Sequence, residues 1–320
     1  MIKLKGHRSV NFIKVGGNMP YFEPGYLQLY RKGVLKERIA KAEKHLVRCR
    51  LCPHECGIDR TIGMGFCRTR DRASVSSYGP HFGEEDVLVG YRGSGTIFFA
   101  NCNIRCVYCQ NYEISFYGRG KEVTNEELAE IMLRLQNDYR CHNINLVTPT
   151  HVVPNILAAL NIAIQKGLRI PLVYNTSGYE RIETLKILDG IIDIYMPDFK
   201  YWDPERGRNY SKVANYSERA KKALIEMDRQ VGGLKVDDRG IAYRGLLIRH
   251  LVLPGGLDDT KKILRFIREN LSPDCLVNVM GQYFPAHQAY KYEELNRRIT
   301  YEELHEARTF ARELGLNLSE

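Results

Sequence analysis

The chain has 320 residues, of which 44% are apolar and 27% are charged, with a formal net charge of +9 at pH 7. This length can bury a full-sized hydrophobic core, and the composition is ordinary for a globular protein, so a disordered or fibrous chain is excluded. No stretch of about 18 uncharged apolar residues occurs and no apolar signal segment opens the chain, so we expect a cytoplasmic protein without membrane-spanning segments. The basic residues are dispersed, so a solvated surface explains the charge more simply than nucleic-acid binding does.

Residues 1–48 are interpreted as an arm that packs onto a larger body. Gly16, Gly17 and Pro20 interrupt its first half. A stretch rich in Lys, Arg, Glu, Ala and Leu then predicts a helix over about residues 33–46.

Four cysteines follow the arm and form what we call the four-thiol site: Cys49, Cys52, Cys56 and Cys67. A chain without an export signal keeps its thiols reduced, so such cysteines are more often metal ligands than disulfide partners. Four thiolates hold either a zinc ion or an iron–sulfur cluster. The pattern C-x2-C-x3-C lacks a second short knuckle and suits both, so we favour a structural zinc ion and keep a second iron–sulfur cluster as the alternative. Residues 1–90 are thus predicted to form an N-terminal metal-binding extension.

After this extension, apolar β-branched runs alternate with amphipathic helical stretches. Six runs are predicted strands, over residues 96–99, 144–147, 172–175, 191–196, 246–252 and 276–280. Capping boxes, Thr124 with Glu127 and Thr300 with Glu303, predict the starts of two helices, and the second helix closes the chain. Alternating strands and helices form parallel sheets with right-handed crossovers, and six units fall short of the eight in a full barrel. The predicted fold class is therefore α/β, with a partial (β/α)6 barrel over residues 91–320.

Cys102, Cys106 and Cys109 follow the first of these strands in the pattern C-x3-C-x2-C, and we call them the three-thiol loop. Four-iron clusters normally take four thiolates, so three thiolates leave one iron without a protein ligand. An open coordination position is where a metal site binds its substrate. Barrel folds also place their reactive groups at the carboxyl ends of strands. The loop therefore predicts a catalytic [4Fe-4S] cluster, with a zinc knuckle as the alternative.

This pattern, with the aromatic Tyr108 just before the third cysteine, resembles the motif of the radical S-adenosylmethionine (radical SAM) superfamily. Over about residues 49–316 the chain is similar to a branch of that superfamily related to pyruvate formate-lyase activating enzyme. The shared features are an early Cys-x-x-Cys-Pro unit, the phrase Gly-Ser-Gly-Thr-Ile-Phe-Phe before the three-thiol loop, and Cys-Gln-Asn-Tyr-Glu-Ile-Ser from its third cysteine onward.

The resemblance implies an oxidoreductase whose cluster binds S-adenosylmethionine (SAM) and cleaves it reductively to a 5′-deoxyadenosyl radical that abstracts hydrogen from a substrate. Glycyl-radical activating enzymes act on a partner protein, so we expect a protein or peptide substrate, with a small metabolite, a nucleotide or RNA as alternatives. An electron donor such as flavodoxin or ferredoxin is also implied. The alternative of another class is a non-catalytic zinc or iron–sulfur binding module.

The resemblance further implies which side chains contact SAM. Tyr108 is expected to lie against the adenine ring, with an aromatic residue of the core as the alternative. Thr150 and His151 follow the second barrel strand, where many relatives carry Gly-Gly-Glu, and are expected near the cofactor, with helix capping as the alternative for His151. Asn175 and Ser177 follow the third strand and are expected to contact the methionine carboxylate or the ribose, with helix capping as the alternative for Ser177.

Two further motifs match the activating enzymes. Asp198 and Lys200, after the fourth strand, resemble their Asp-x-Lys, in which the acid faces the SAM ammonium or ribose and the lysine faces the SAM carboxylate. Arg249 begins an Arg-x-x-Val-x-Pro-Gly sequence on the fifth strand, and its guanidinium can pair with a carboxylate in bidentate fashion. The remaining cysteines, Cys141 and Cys275, stand alone and are predicted to be small buried apolar residues.

Overall fold

The computed structural model describes residues 22–319, so Gly16, Gly17 and Pro20 of the predicted arm lie outside the described residues. The strands are β1 (Ala73–His81), β2 (Ser94–Phe99), β3 (Lys121–Val123), β4 (Ile144–Val147), β5 (Leu172–Thr176), β6 (Ile194–Pro197), β7 (Lys235–Val236), β8 (Ala242–Leu251), β9 (Leu276–Met280) and β10 (Asn317–Leu318). The helices are α1 (Gly25–Arg31), α2 (Val34–Val47), α3 (Asp86–Val89), α4 (Tyr112–Ser115), α5 (Asn125–Asn137), α6 (Val153–Gln165), α7 (Ile182–Leu188), α8 (Pro204–Ser211), α9 (Tyr216–Val231), α10 (Leu257–Asn270) and α11 (Tyr301–Glu313).

The strands form one curved sheet in the order β10, β9, β8, β6, β5, β4, β2, β1, β3, with β7 paired to β8. Every pairing from β2 to β10 along this order is parallel. The six predicted strands are β2, β4, β5, β6, β8 and β9, and the predicted α/β partial barrel is confirmed. Parallel strands with helical crossovers bring all their carboxyl ends to one edge of the sheet.

Four strands escaped prediction, β1, β3, β7 and β10, and two of them, β1 and β3, extend the sheet beyond β2. β1 pairs antiparallel with β2, and β3 pairs antiparallel with β1. Gly79, Pro80 and three serines give β1 a composition that disfavours strands. The strand forms because the neighbouring β2 supplies a partner for its backbone, which is a long-range effect that local composition does not report.

The helices cover the sheet as their apolar positions require. Both predicted capping boxes are present: the Thr124 hydroxyl accepts from the Glu127 N–H at the start of α5, and Thr300 does the same with Glu303 at α11. α6 is apolar on most of its surface because it packs against both α5 and α2. The two predicted helix starts are therefore confirmed.

The described part of the N-terminal extension packs into the barrel core. Tyr26 and Leu35 are fully buried in the same hydrophobic cluster as the barrel strands. The buried Asp193 carboxylate accepts hydrogen bonds from the Gly25 N–H and the Leu172 N–H, both at 3.0 Å, which ties α1 to β5. The division into residues 1–90 and 91–320 stays a prediction, but within residues 22–319 the two parts share one core.

Cys141 and Cys275 are buried in this core, which confirms the prediction for these lone thiols. Within residues 22–319, no helix has both the length and the apolar character that a bilayer crossing requires.

Candidate functional site

A cavity of about 430 Å³ opens at the carboxyl ends of the parallel strands. Its walls come from the segments that follow β2, β4, β5 and β6, and from β8 and the residues after β9. Its volume lies in the range of pockets that bind small ligands and cofactors. The three-thiol loop and most of the predicted cofactor contacts line this one cavity.

The three-thiol loop leaves β2 through Asn101, which has a left-handed backbone conformation (φ 72°). All three thiols are free and line the cavity, with Cys106 buried and the other two half-buried. Hydrogen-bonding groups lie beside each sulfur: the Ile104 N–H at 3.5 Å from Cys102 Sγ, Ser211 Oγ at 3.0 Å from Cys106 Sγ and Ser115 Oγ at 3.1 Å from Cys109 Sγ.

Burial raises the pKa of the Cys102 and Cys109 thiols, and the neighbouring Cys106 sulfur raises both further. The Lys200 ammonium acts in the opposite direction on both, which places a cation near the sulfurs. Three converging thiols with hydrogen-bond donors and a nearby cation fit an iron–sulfur cluster, because bound metal replaces the protons that burial would otherwise retain.

Four predicted contacts form one charged network in the cavity wall. Asp198 accepts from Lys200 Nζ at 2.6 Å and from Arg249 Nε at 3.1 Å. Arg249 also donates through Nη2 to Asn175 Oδ1 at 2.6 Å. Burial opposes ionisation of Asp198, but Lys200 and Arg249 outweigh that effect and hold its pKa below the usual value. The structure thus brings together side chains that the sequence separates by up to 74 residues.

Glu84 is a fifth member of the network that sequence reasoning missed. Its carboxylate accepts from Arg249 Nη1 at 3.1 Å, and it lies 3.7 Å from the His81 ring nitrogen. Burial raises the pKa of Glu84, and Arg249 opposes that shift. Both Glu84 and His81 reach the cavity because β1 extends the sheet. In the sequence, the adjacent acids Glu84 and Glu85 were the only sign of this part of the network. Because β1 was not predicted, the sequence did not place them near the cavity.

Thr150 and His151 are not brought to the cavity, which corrects the expectation for that strand end. After β4 the backbone turns at Thr148 (φ 58°) and enters a short 3-10 turn, Thr150–Val152, that buries both side chains. Thr150 donates to Glu180 Oε1 at 2.5 Å, and His151 Nε2 lies 2.9 Å from the Ala100 carbonyl oxygen. Thr148 lines the cavity in their place.

Tyr108 and Ser177 both line the cavity. Tyr108 is nevertheless almost fully buried, accepts a hydrogen bond from Tyr201 Oη at 2.7 Å and packs edge-on against Tyr283. Ser177 Oγ lies 3.5 Å from Asn103 Oδ1 in the three-thiol loop. Tyr108 therefore serves the core as well as the cavity wall.

The four-thiol site lies outside the cavity lining. Its thiols are free, and all except the half-buried Cys56 are buried. Burial raises the pKa of the Cys52 thiol, and the neighbouring Cys67, Cys49 and Cys56 raise it further. Among residues 22–319 no group of three or more His, Cys, Asp or Glu is arranged around a single metal-ion position, at this site or in the three-thiol loop. The identity of its metal, zinc or a second cluster, stays a prediction.

Residues 96–267 match the family model of the radical SAM superfamily. This range contains the three-thiol loop, Asn175, Asp198, Lys200 and Arg249.

Two proteins of Methanocaldococcus jannaschii are similar to the chain. Uncharacterized protein MJ0674 is 35% identical over 308 residues, which cover 93% of this chain and 84% of that protein. Uncharacterized protein MJ0808 is 25% identical over 298 residues, which cover 86% of this chain and 81% of that protein.

Solved structures that match the chain in part include a domain of the pyruvate-formate lyase-activating enzyme of Bacteroides vulgatus. It has a TM-score of 0.36 and 14% identity, and the match covers 49% of this chain and 83% of that one. Methylornithine synthase has a TM-score of 0.42 and 15% identity, with 68% of this chain and 67% of that one covered.

Proposed function

This chain belongs to the radical SAM superfamily, and on that premise we propose that it abstracts hydrogen from a protein or peptide substrate, as glycyl-radical activating enzymes do. Enzymes of this superfamily bind SAM at a [4Fe-4S] cluster. When bound, the cluster and SAM supply a one-electron reduction that yields methionine and a hydrogen-abstracting 5′-deoxyadenosyl group. The observation that carries the proposal is the convergence of three free thiols and a half-buried charged network in one cavity.

The side chains of this chain divide the binding work between them. Cys102, Cys106 and Cys109 would hold the cluster. Lys200 and Arg249 offer cations to the carboxylate of SAM, and Asp198 offers an acceptor to its ammonium or ribose. The charges of these groups are already paired with one another, so the binding site is organised before the ligand enters.

The surface beside the cavity supports a large substrate. Three exposed aromatic side chains lie on segments that adjoin the three-thiol loop and the Gln282 end of the cavity, and we call them the aromatic rim: Tyr117, Phe284 and Tyr290. They are 63%, 40% and 63% exposed. Gln282 lines the cavity and its carbonyl oxygen accepts from Gln110 Nε2 at 3.1 Å, which places Phe284 two residues from the mouth. Aromatic side chains are enriched where proteins bind one another.

A hydrogen-transfer experiment tests the substrate class. Extract from cells grown in deuterated medium is separated into a macromolecular fraction and a small-molecule filtrate, and each is added to the reduced, cluster-loaded protein with SAM. We expect deuterium in 5′-deoxyadenosine with the macromolecular fraction, and loss of that deuterium after protease treatment. Transfer from the filtrate alone, or from a fraction sensitive to nuclease and not to protease, would overturn the protein-substrate proposal.

Surface variants test the aromatic rim in the same assay. Phe284→Ser is expected to lower deuterium transfer from the macromolecular fraction while leaving SAM cleavage without substrate unchanged. Tyr301→Ser is the matched control, because Tyr301 is also an exposed aromatic residue but lies on α11 outside the cavity lining.

An electron donor such as flavodoxin or ferredoxin and a cytoplasmic location belong to the same proposal.

A further inference from the structure

The carboxyl end of α8 is hydrogen-bonded to the three-thiol loop. The Tyr210 carbonyl oxygen accepts from the Val107 N–H at 2.7 Å, and the Ser211 carbonyl oxygen accepts from the Arg105 N–H at 3.3 Å. The two donors stand on either side of Cys106 in the sequence. Two backbone hydrogen bonds therefore fix the position of Cys106 relative to Ser211.

The segment that follows β9 contacts the same part of the three-thiol loop. The Gln288 N–H donates to the Val107 carbonyl oxygen at 2.8 Å. The ring of His287, one residue earlier, stacks on Tyr112, the first residue of α4, with 5.0 Å between the ring centroids. Val107 is thus bonded through its N–H to α8 and through its carbonyl oxygen to this segment, so the backbone beside Cys106 is held on both counts.

The Ser211 hydroxyl lies beside the sulfur that these contacts position. Ser211 Oγ donates to Cys106 Sγ at 3.0 Å. Its other hydrogen-bonding neighbour is Tyr201 Oη at 2.8 Å, where either oxygen can be the donor. Ser211 and Tyr201 are fully buried, and only 8% of Cys106 is exposed. Water therefore has little access to the hydrogen bond between the hydroxyl and the sulfur.

Ser115 makes a similar contact with Cys109, but that contact is open to water. Ser115 Oγ lies 3.1 Å from Cys109 Sγ, and both residues are half-buried and line the cavity. A water molecule can replace a hydroxyl at such a position. Of the two serine hydroxyls beside the three-thiol loop, that of Ser211 is therefore the one that solvent cannot replace.

A cluster on this loop would make the hydrogen bond to Cys106 stronger. A sulfur that binds metal is a thiolate, and a hydrogen bond to a charged acceptor is about twice as strong as one between neutral groups. Reduction adds negative charge to a cluster, so a donor beside one of its sulfurs stabilises the reduced state more than the oxidised state. Hydrogen bonds to the sulfurs are accordingly among the features that set the reduction potential of an iron–sulfur cluster.

From these contacts we propose that Ser211 is a positioning residue for Cys106 and that its hydroxyl raises the reduction potential of the cluster in the three-thiol loop. Ser211 acts only through the Cys106 sulfur, since it lies outside the cavity lining. It stands 105 positions after Cys106 in the sequence, so only the packing of α8 brings the two together. The proposal rests on the superfamily's cluster and not on the protein substrate proposed above.

A redox titration of the anaerobically reconstituted protein tests this role. The reduced cluster is followed by electron paramagnetic resonance while titanium(III) citrate is added in the presence of low-potential dye mediators. Ser211→Ala is expected to shift the midpoint potential to a more negative value, because it removes the donor, and to leave iron and acid-labile sulfide per chain unchanged, because it keeps all three thiolates. Ser217→Ala is the matched control and should keep the wild-type midpoint, since Ser217 is also buried on a helix but its hydroxyl has no partner within residues 22–319.

An unchanged midpoint potential in Ser211→Ala would overturn the proposal. Loss of iron from the folded variant would also overturn it, because the serine would then be needed to retain the cluster and not to set its potential. Ser211→Gly lacks the same hydroxyl and gives the same comparison if the alanine variant does not fold. Ser211→Thr keeps a hydroxyl, so its midpoint should lie nearer to that of the wild type, and a value as negative as that of Ser211→Ala would contradict the role of the hydroxyl. The measured quantity is a potential and not SAM cleavage or substrate transfer, so failure here is distinguishable from failure of the proposed function.

Discussion

Arg249 on β8 and Asp198 at the end of β6 are joined by an ion pair of 3.1 Å between Nε and Oδ1, and the same two residues form an isolated parallel backbone bridge. The neighbouring strands β6 and β8 therefore place oppositely charged side chains beside each other in the cavity wall. Lys200 adds a second cation to Asp198 at 2.6 Å. The charged wall of the cavity is thus a consequence of strand order.

Replacement of Asp198 tests how much the stability of the protein depends on this one carboxylate. Asp198→Asn keeps the shape but leaves Lys200 and Arg249, whose side chains are only 16% and 17% exposed, without a carboxylate between them, and we expect the free energy of unfolding to fall by about 3 kcal/mol. The control Glu205→Gln breaks an exposed pair with Arg208 and should cost under about 1 kcal/mol. Urea denaturation measures both, and equal losses would contradict the buried-network interpretation.

Cys106→Ala removes the most buried sulfur of the three-thiol loop. Two remaining thiolates cannot hold a four-iron cluster in its catalytic form, so 5′-deoxyadenosine release from SAM should fall to the background level. Cys275→Ala, a buried thiol outside both sites, should keep full release. Product is quantified by chromatography with reduced protein. Normal release from Cys106→Ala would refute the ligand assignment.

Glu180 should give stability a defined pH dependence. Burial raises its pKa from 4.5 to about 7, against hydrogen bonds from Thr150, Thr176 and Tyr174 that lower it. Between pH 4.5 and about 7 the unfolded chain loses the Glu180 proton while the folded chain retains it. The stability that Glu180 contributes below pH 4.5 is therefore lost as the pH rises to about 7, by about 3 kcal/mol in total.

Comparison with Glu180→Gln isolates this effect, because the amide oxygen can still accept from Thr150 and Thr176 but does not titrate. The free energy of unfolding of the wild type minus that of the variant is expected to fall across this interval as the pH rises. Denaturation curves at several pH values measure it. A difference that stays constant with pH would show that Glu180 titrates normally.

Gly65 should be essential to the four-thiol site. A Cβ atom at this position would lie 2.8 Å from Cys56 Sγ, so Gly65→Ala must displace that sulfur. We expect metal affinity at the four-thiol site to fall about tenfold or more, with the absorbance of the catalytic cluster retained. Gly63→Ala is the matched control, since its nearest neighbour would be the Asp59 carbonyl oxygen at 3.5 Å, an ordinary contact. Equal metal content in the two variants would contradict the prediction.

Local patterns predicted the parts of the protein that local interactions form. The six parallel strands are short apolar runs, and the helices at Thr124 and Thr300 begin with side chains that cap their own backbone. The spacing of Cys102, Cys106 and Cys109 also carries its chemistry within eight residues. Each of these signals depends on neighbours in sequence.

Other features had no local signal. Thr150 and His151 missed the cavity because Thr148 takes a left-handed conformation that turns the chain away. Glu84 entered it because β1 pairs with β2 despite an unfavourable composition. Neither event could be deduced from residue types alone, since each depends on contacts with distant parts of the chain.

The amino-acid order alone was enough to identify the α/β class, the three-thiol loop and its superfamily, because periodicity and ligand spacing are properties of short segments. Long-range packing alone determined that Asp198, Arg249 and Glu84 form one network. Strand order and loop packing bring these groups together from up to 165 positions apart. The burial that the groups then share affects the pKa of each of them.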